Sequence, residues 1–205
     1  MAEITNITKN GKDRYGIYLD GSFFCHLKSE TIVKNCLQVG TNLSEDKLEE
    51  LQLQNEKLIA FDKAVNFLSG IKSEKQVKDY LYQKGYRAKT VNYVLGKLKE
   101  YNYINDEVFA KFYIQNYNKK KGLRLLKFEL STKGVKDEII EKVLENFDDN
   151  DETILQLAEK YLKNKERDKK TAVKLTNHLF SKGFTFDKIN KVVKKLFYEI
   201  DLEDN

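Results

Sequence analysis

The chain has 205 residues, 40% of them apolar, with 12 Tyr and 12 Phe, so it holds material for a packed core and is not a disordered polymer. Lys and Arg total 37 against 32 Asp and Glu, and the formal charge of +5 permits a polyanionic partner without requiring one. The two cysteines, Cys25 and Cys36, are too few for a disulfide scaffold or a four-sulfur zinc site, and the two histidines, His26 and His178, offer little for metal or acid–base chemistry.

The first thirty residues alternate as strands. Ile4 to Thr8, Tyr15 to Leu19 and Phe23 to Leu27 are separated by Asn10-Gly11 and Asp20-Gly21, dipeptides that supply positive φ at tight hairpins, which predicts a three-stranded meander. From Ser29 the pattern turns helical, with Ser29 as N-cap before Ile32, Val33, Cys36 and Leu37; Gly40 is expected to end that helix and Ser44 to cap the next. Proline is absent from the whole chain, which favours long uninterrupted helices.

Beyond residue 55 the chain repeats itself. Gly85, Gly134 and Gly183, each preceded by lysine, stand 49 residues apart, and Leu81, Leu130 and Leu179 stand four before each of them. After the glycines, Val91/Val94/Leu95/Leu98, Ile140/Val143/Leu144/Phe147 and Ile189/Val192/Val193/Leu196 share one register, the three-and-four spacing of a helix face. An earlier helix in each copy carries Ala-x-x-aromatic-aliphatic at Ala64/Phe67/Leu68, Ala110/Tyr113/Ile114 and Ala158/Tyr161/Leu162. The alanine-to-glycine distance varies (21, 24 and 25 residues), so a loop of variable length lies between. Each copy is therefore three helices, with the glycine in a left-handed turn between the second and third. Ser73 with Gln76 forms a capping box, and Asn105 or Asp106 starts the second copy. The expected fold is mainly α: a β-meander module over 1–55, then three-helix repeats over 56–104, 105–150 and 151–205, stacked as an elongated, curved array.

Charge follows the same period. Residues 1–55 are net −2 and the repeats net +7. Between residues 111 and 136 eight basic groups face Glu129 alone. Lys119, Lys120, Lys121, Arg124 and Lys127 occupy the variable loop and second helix of the second repeat; Lys163, Lys165, Arg167, Lys169, Lys170 and Lys174 occupy the equivalent place in the third. The first is milder, with Lys72, Lys75 and Lys78. A single lysine-rich loop is ordinarily a solvated linker, but recurrence at one topological position favours a positive stripe suited to phosphates. Tyr101, Tyr103, Tyr113 and Tyr117 could stack on bases, although their spacing fits helix packing equally well and places them in the core or at its rim.

No catalytic constellation is found. Two glycines five apart at Gly11 and Gly16 are followed by Ile17-Tyr18 rather than by Lys and Ser/Thr, so no phosphate loop is expected. Cys25 and His26 would point to opposite faces of a strand, His178 beside Leu179 reads as structural or exposed, and Asp148 to Glu152 lacks a calcium-loop pattern and reads as a linker that caps the next helix. No stretch approaches the ~18 apolar residues of a membrane span, and Met1 to Thr5 lacks a signal-peptide pattern, so a cytoplasmic, non-enzymatic monomer without cofactor or metal is expected.

Several segments together resemble the RecX family of regulatory proteins. Leu68 to Glu74 with Tyr80-Leu81 and Lys84-Gly85 is similar to the family's first repeat, and Tyr103 to Ala110 resembles its aliphatic-Asn/Asp-Asp-x-x-Phe-Ala segment. Lys121 to Arg124, Glu129-Leu130 and Lys133 to Val135 resemble the segment that follows, and Leu179 to Phe184 resembles the closing Leu-x-x-Arg/Lys-Gly-Phe. The likeness covers about residues 56–200, and the β-rich start is similar to the added module of longer members. One departure stands out: Gly70 and Lys72 occupy positions where the family usually has arginines, and neither side chain can form a bidentate pair there. The resemblance implies a regulator that binds the RecA recombinase filament on single-stranded DNA, with duplex DNA as a further candidate. It implies inhibition of the ATPase, strand-exchange and coprotease activities, and so control of DNA repair and recombination. From the residues alone, a helix-turn-helix transcription regulator and an RNA-binding helical repeat stay open as alternatives.

Overall fold

The computed structural model describes residues 1–145, 147 and 150–198. The chain forms two compact units, one of Met1–Gly70 with Val77–Tyr103, the other of Ile71–Gln76 with the chain from Ile104 onward.

In the first unit, β1 (Ala2–Lys9), β2 (Arg14–Leu19) and β3 (Ser22–Lys28) form the expected antiparallel meander, and a two-residue β4 (Asn42–Leu43) joins the free edge of β1 to give the order β3-β2-β1-β4. A strand of two residues carries no period-2 signal, so β4 was invisible in the sequence. Asp20 (φ 46°) and Gly21 (φ 81°) make the expected tight turn. Asn10-Gly11 does not: the connection runs from Asn10 to Asp13, and the Asn10 side chain meets Nε2 of His26 at 2.7 Å. One sheet face buries Ile4, Ile17, Leu19 and Leu27 against Leu37, Leu43 and Leu51.

Helix α1 (Ser29–Lys34) is shorter than expected. Lys28, not Ser29, is its N-cap, and it ends well before Gly40. The β-branched run Thr31-Ile32-Val33 is a weak helix former, and the Asn35 side chain donates to the Thr31 carbonyl at 2.9 Å as Cys36 turns left-handed (φ 50°). Gly40 instead donates its N–H to the Ile4 carbonyl at 2.8 Å, returning the chain toward β4.

Helix α2 (Glu45–Phe67) is capped by Ser44, whose hydroxyl accepts the Lys47 N–H at 3.2 Å, and runs without a break through the 55/56 boundary. Buried Asn55 pins it to the sheet, accepting the Lys28 N–H at 2.8 Å and donating to the His26 carbonyl at 2.9 Å. Lys28 adds an ion pair with Asp62. With α3 (Glu74–Gln83) and α4 (Ala88–Glu100), the helix encloses Ala60, Ala64, Val77, Leu81, Val91, Val94 and Leu98, all fully buried. The Leu81 carbonyl also closes the glycine turn, accepting the Tyr86 N–H at 3.3 Å.

The second unit holds two of the three-helix repeats: α5 (Asp106–Tyr117), α6 (Leu123–Thr132) and α7 (Asp137–Leu144), then α8 (Asp151–Leu162), α9 (Lys169–Ser181) and α10 (Phe186–Leu196). Asn105 caps α5, accepting from the N–H groups of Glu107 and Val108, and Asn150 and Asp168 cap α8 and α9 in the same way. The expected cap at Asp148–Glu152 is thus carried by Asn150; Asp148 and Asp149 lie outside the described residues. Each repeat has its own core, centred on Leu126, Leu130 and Ile140 in one and on Leu175, Leu179 and Ile189 in the other. Half-buried Glu107 bridges Lys111 (2.7 Å) and Lys142 (2.8 Å), joining α5 to α7, and these two bonds hold its carboxyl down at about 2. The Ser73–Gln76 capping box forms as expected.

Within this unit, the chain entering one repeat's second helix rests on the glycine turn of the next repeat. Ser73 Oγ donates to the Lys133 carbonyl at 2.7 Å and Lys75 Nζ to the Thr132 carbonyl at 3.0 Å. Forty-nine residues on, the Gly122 N–H donates to the Lys182 carbonyl at 2.9 Å. Arg124 donates to the Phe180 carbonyl at 2.6 Å with its guanidinium 3.9 Å over the Phe180 ring. The backbones touch: a Cβ on Gly122 would lie 2.5 Å from the Phe184 nitrogen, and one on Gly183 2.5 Å from the Leu125 nitrogen. A Cβ on Gly85 would meet nothing within 4 Å. Lysine cannot both stack flat and donate to the carbonyl, so Arg124→Lys is expected to lower stability by about 1 kcal/mol and Arg124→Ala by about 2. Denaturant titration of the two variants checks the order.

Candidate nucleic-acid interface

The fourteen basic residues singled out by the sequence divide into those committed to the fold and those left to solvent. Lys72 is half-buried and engaged, and Lys75 and Arg124 serve the joint. Lys127 pairs with Glu141 at 2.9 Å. Lys121 turns inward, with Nζ 2.6 and 2.7 Å from the two Glu129 oxygens and 4.6 Å over the Tyr117 ring. Tyr113 Oη donates to the same carboxylate at 2.9 Å; burial, then this bond, pushes its phenol well above the ordinary value. In the third repeat, Lys165 Nζ lies 3.2 Å over the Tyr161 ring and Arg167 donates to the Leu196 carbonyl at 3.2 Å.

Of these, seven lysines remain exposed without an ion pair among the described residues: Lys78 on α3, Lys119 and Lys120 in the α5–α6 loop, and Lys163, Lys169, Lys170 and Lys174 at the α8–α9 loop and the start of α9. Lys169 and Lys170 occupy the first turn of α9, where the helix dipole repels cations and, apart from the Thr171 N–H capped by Asp168, the leading N–H groups present positive charge. Only Asp168 opposes them there, at the N-cap. Stability alone would not choose lysines at those two positions. Exposed N–H groups and lysines together at one helix start suit a bound anion.

Sequence reading missed the aromatic floor beneath these loops. The first-helix aromatics Phe67, Tyr113 and Tyr161 each meet a second-helix partner in one 49-residue register: Tyr80, stacked at 4.1 Å; Glu129, through the hydrogen bond; and His178, stacked at 4.7 Å. The lysines before the glycines join in, Lys84 at 5.5 Å over Tyr80 and Lys133 at 5.3 Å over Tyr113. The signal was present in the register of Tyr80, Glu129 and His178, but three unlike side chains at one position do not look like a repeat. Burial, then Lys182 and Lys165, lower the pKa of His178, so its imidazole is neutral at pH 7 and stacks without added charge.

Among the described residues no group of His, Cys, Asp and Glu is placed to hold a metal ion, and no helix is long and apolar enough to cross a membrane.

Family comparisons match this architecture along its length. The description "Regulatory protein RecX N-terminal domain" matches residues 2–44, and the first, second and third RecX three-helix domains match 60–98, 105–144 and 148–193. Regulatory protein RecX of Clostridium perfringens strain SM101 is 34% identical, covering 96% of this chain and 97% of its own. The Bacillus licheniformis protein of the same name is 34% identical over 98% of this chain and 80% of its own. A crystal structure of regulatory protein RecX shares the fold over 97% of this chain with a TM-score of 0.72 at 22% identity; that of RecX from Lactobacillus salivarius covers 70%, with a TM-score of 0.62 at 26% identity.

Proposed function

We propose that this chain, which belongs to the RecX family of regulatory proteins, binds the RecA recombinase filament on single-stranded DNA and inhibits its ATPase, strand-exchange and coprotease activities. The observation that carries the DNA part of this reading is the pair of unpaired lysine clusters at one topological position in two repeats, Lys119-Lys120 and Lys169-Lys170, the second set against its own helix dipole. Phosphate oxygens would complete both. Family membership supports the filament as partner, and nothing in the residues requires catalysis for a protein that acts by occupying a polymer.

Replacing Lys119, Lys120, Lys169 and Lys170 by Ala is expected to weaken binding to single-stranded DNA and to the filament. The salt dependence should flatten by a slope of roughly 0.7 for each phosphate that is no longer neutralised. Folding should change little, because exposed substitutions stay within about ±0.5 kcal/mol each, and relief of the dipole conflict in α9 offsets part of that. DNA binding and recombinase ATPase inhibition, each at low and high salt, test it. Wild-type potency of the variant under both conditions would refute the assignment of these loops to DNA.

A further inference from the structure

At the end of α4, Tyr101 and Tyr103 flank Asn102, whose left-handed backbone (φ 55°) turns the chain so that both rings lie beside Phe61 of α2. The three rings meet with centroids 6.0, 6.4 and 6.2 Å apart. The Tyr103 N–H donates to the Leu98 carbonyl at 2.8 Å and fixes the turn. Yet Tyr101 is 53% and Tyr103 54% exposed, so neither is a core residue. Lysines stand beside the cluster: Lys97 at 5.6 Å over Tyr101, where it also pairs with Glu100, and Lys57 at 4.6 Å over the neighbouring, exposed Tyr93. Asp62, the acidic neighbour on α2, is taken by Lys28.

We propose that Phe61, Tyr101 and Tyr103 form a stacking platform for unpaired bases of single-stranded DNA, with Lys57 and Lys97 beside the backbone phosphates. This deepens the DNA-binding reading above and rests on it. Every base has a π-face, so such a platform is indifferent to sequence, and a duplex, whose bases are already stacked, cannot use it. Lysines, over Tyr101 and over the neighbouring Tyr93, flank the platform, which favours a phosphate-bearing strand over an apolar protein surface.

The chain has no tryptophan, so Tyr101→Trp introduces a single reporter. Its emission is expected to quench on titration with oligo(dT), with wild-type affinity retained, while duplex DNA leaves it bright. The Tyr101→Ala/Tyr103→Ala pair should bind oligo(dT) at least about tenfold more weakly, the size of one base stack, with the salt slope unchanged because every cation stays in place. Tyr103→Phe should keep the affinity. Wild-type oligo(dT) affinity in a folded double-alanine variant, or an unquenched reporter at saturation, would overturn the platform. If DNA binding survives in that variant but ATPase inhibition disappears, the rings face protein and the platform is likewise overturned. The lysine-loop variant separates the two readings: weakened binding there, with none in the double-alanine variant, removes the platform alone. Failure of the wild type to bind oligo(dT) at low salt removes both.

Discussion

Leu130→Ala is expected to lower folding stability by ~2–5 kcal/mol, and Leu81→Ala and Leu179→Ala by similar amounts. All three side chains are wholly inaccessible to water, each in the last turn of its repeat's second helix. The Leu81 and Leu130 carbonyls also close their glycine turns, but alanine keeps those backbone bonds, so the loss reports the side chain and the cavity it leaves. Leu130 and Leu179 each lie among seven or more buried neighbours of one cluster, which limits collapse into the void and places them toward the upper part of that range. Denaturant titration provides the measure. Losses near zero at all three positions would mean that the second helices present a different face to the core.

The second large effect separates two glycines that look identical in the sequence. Both Gly85 (φ 84°) and Gly183 (φ 92°) are left-handed, so alanine at either strains the backbone by about 1–2 kcal/mol. At Gly85 nothing else happens, because the space beside it is open. At Gly183 the new methyl would enter the first turn of α6 at Leu125, adding an overpacking cost of ~1–3 kcal/mol. Gly183→Ala is therefore expected to lose roughly 2–5 kcal/mol against about 1–2 for Gly85→Ala. Equal losses in parallel denaturation curves would show that the joint contributes nothing beyond the turn.

The parts legible in advance were those written in local periodicity. The helix faces around Leu81, Leu130 and Leu179, the left-handed glycines and the Ser73–Gln76 box all depend on residues a few positions apart. What was hidden depends on residues far along the chain. Nothing near Asn55 announces that it holds α2 to β3, and helix continues on both sides of it, so the boundary drawn there had no local mark. Lys121, Arg124 and Lys127 read as free cations because Glu129 lies a helix turn or two away, Phe180 a whole repeat away and Glu141 on another helix. Lys119, Lys120, Lys169 and Lys170 look the same in sequence and differ only in having no such neighbour. Composition counted the charge, and tertiary partners decided which of it remains available.

The joint between repeats amounts to a copying rule. Its donor and its acceptor both recur with the 49-residue period, so a further unit duplicated in register would arrive with the bonds it needs on either side. At position 173 the pattern lapses: where Lys75 and Arg124 reach for a carbonyl, the third repeat carries Val173, 61% exposed and unable to donate. At the turn of Gly85 no such clamp is found among the described residues. A single Val173→Arg substitution would restore the cation, and with it the chemical means for one chain to dock head to tail on another.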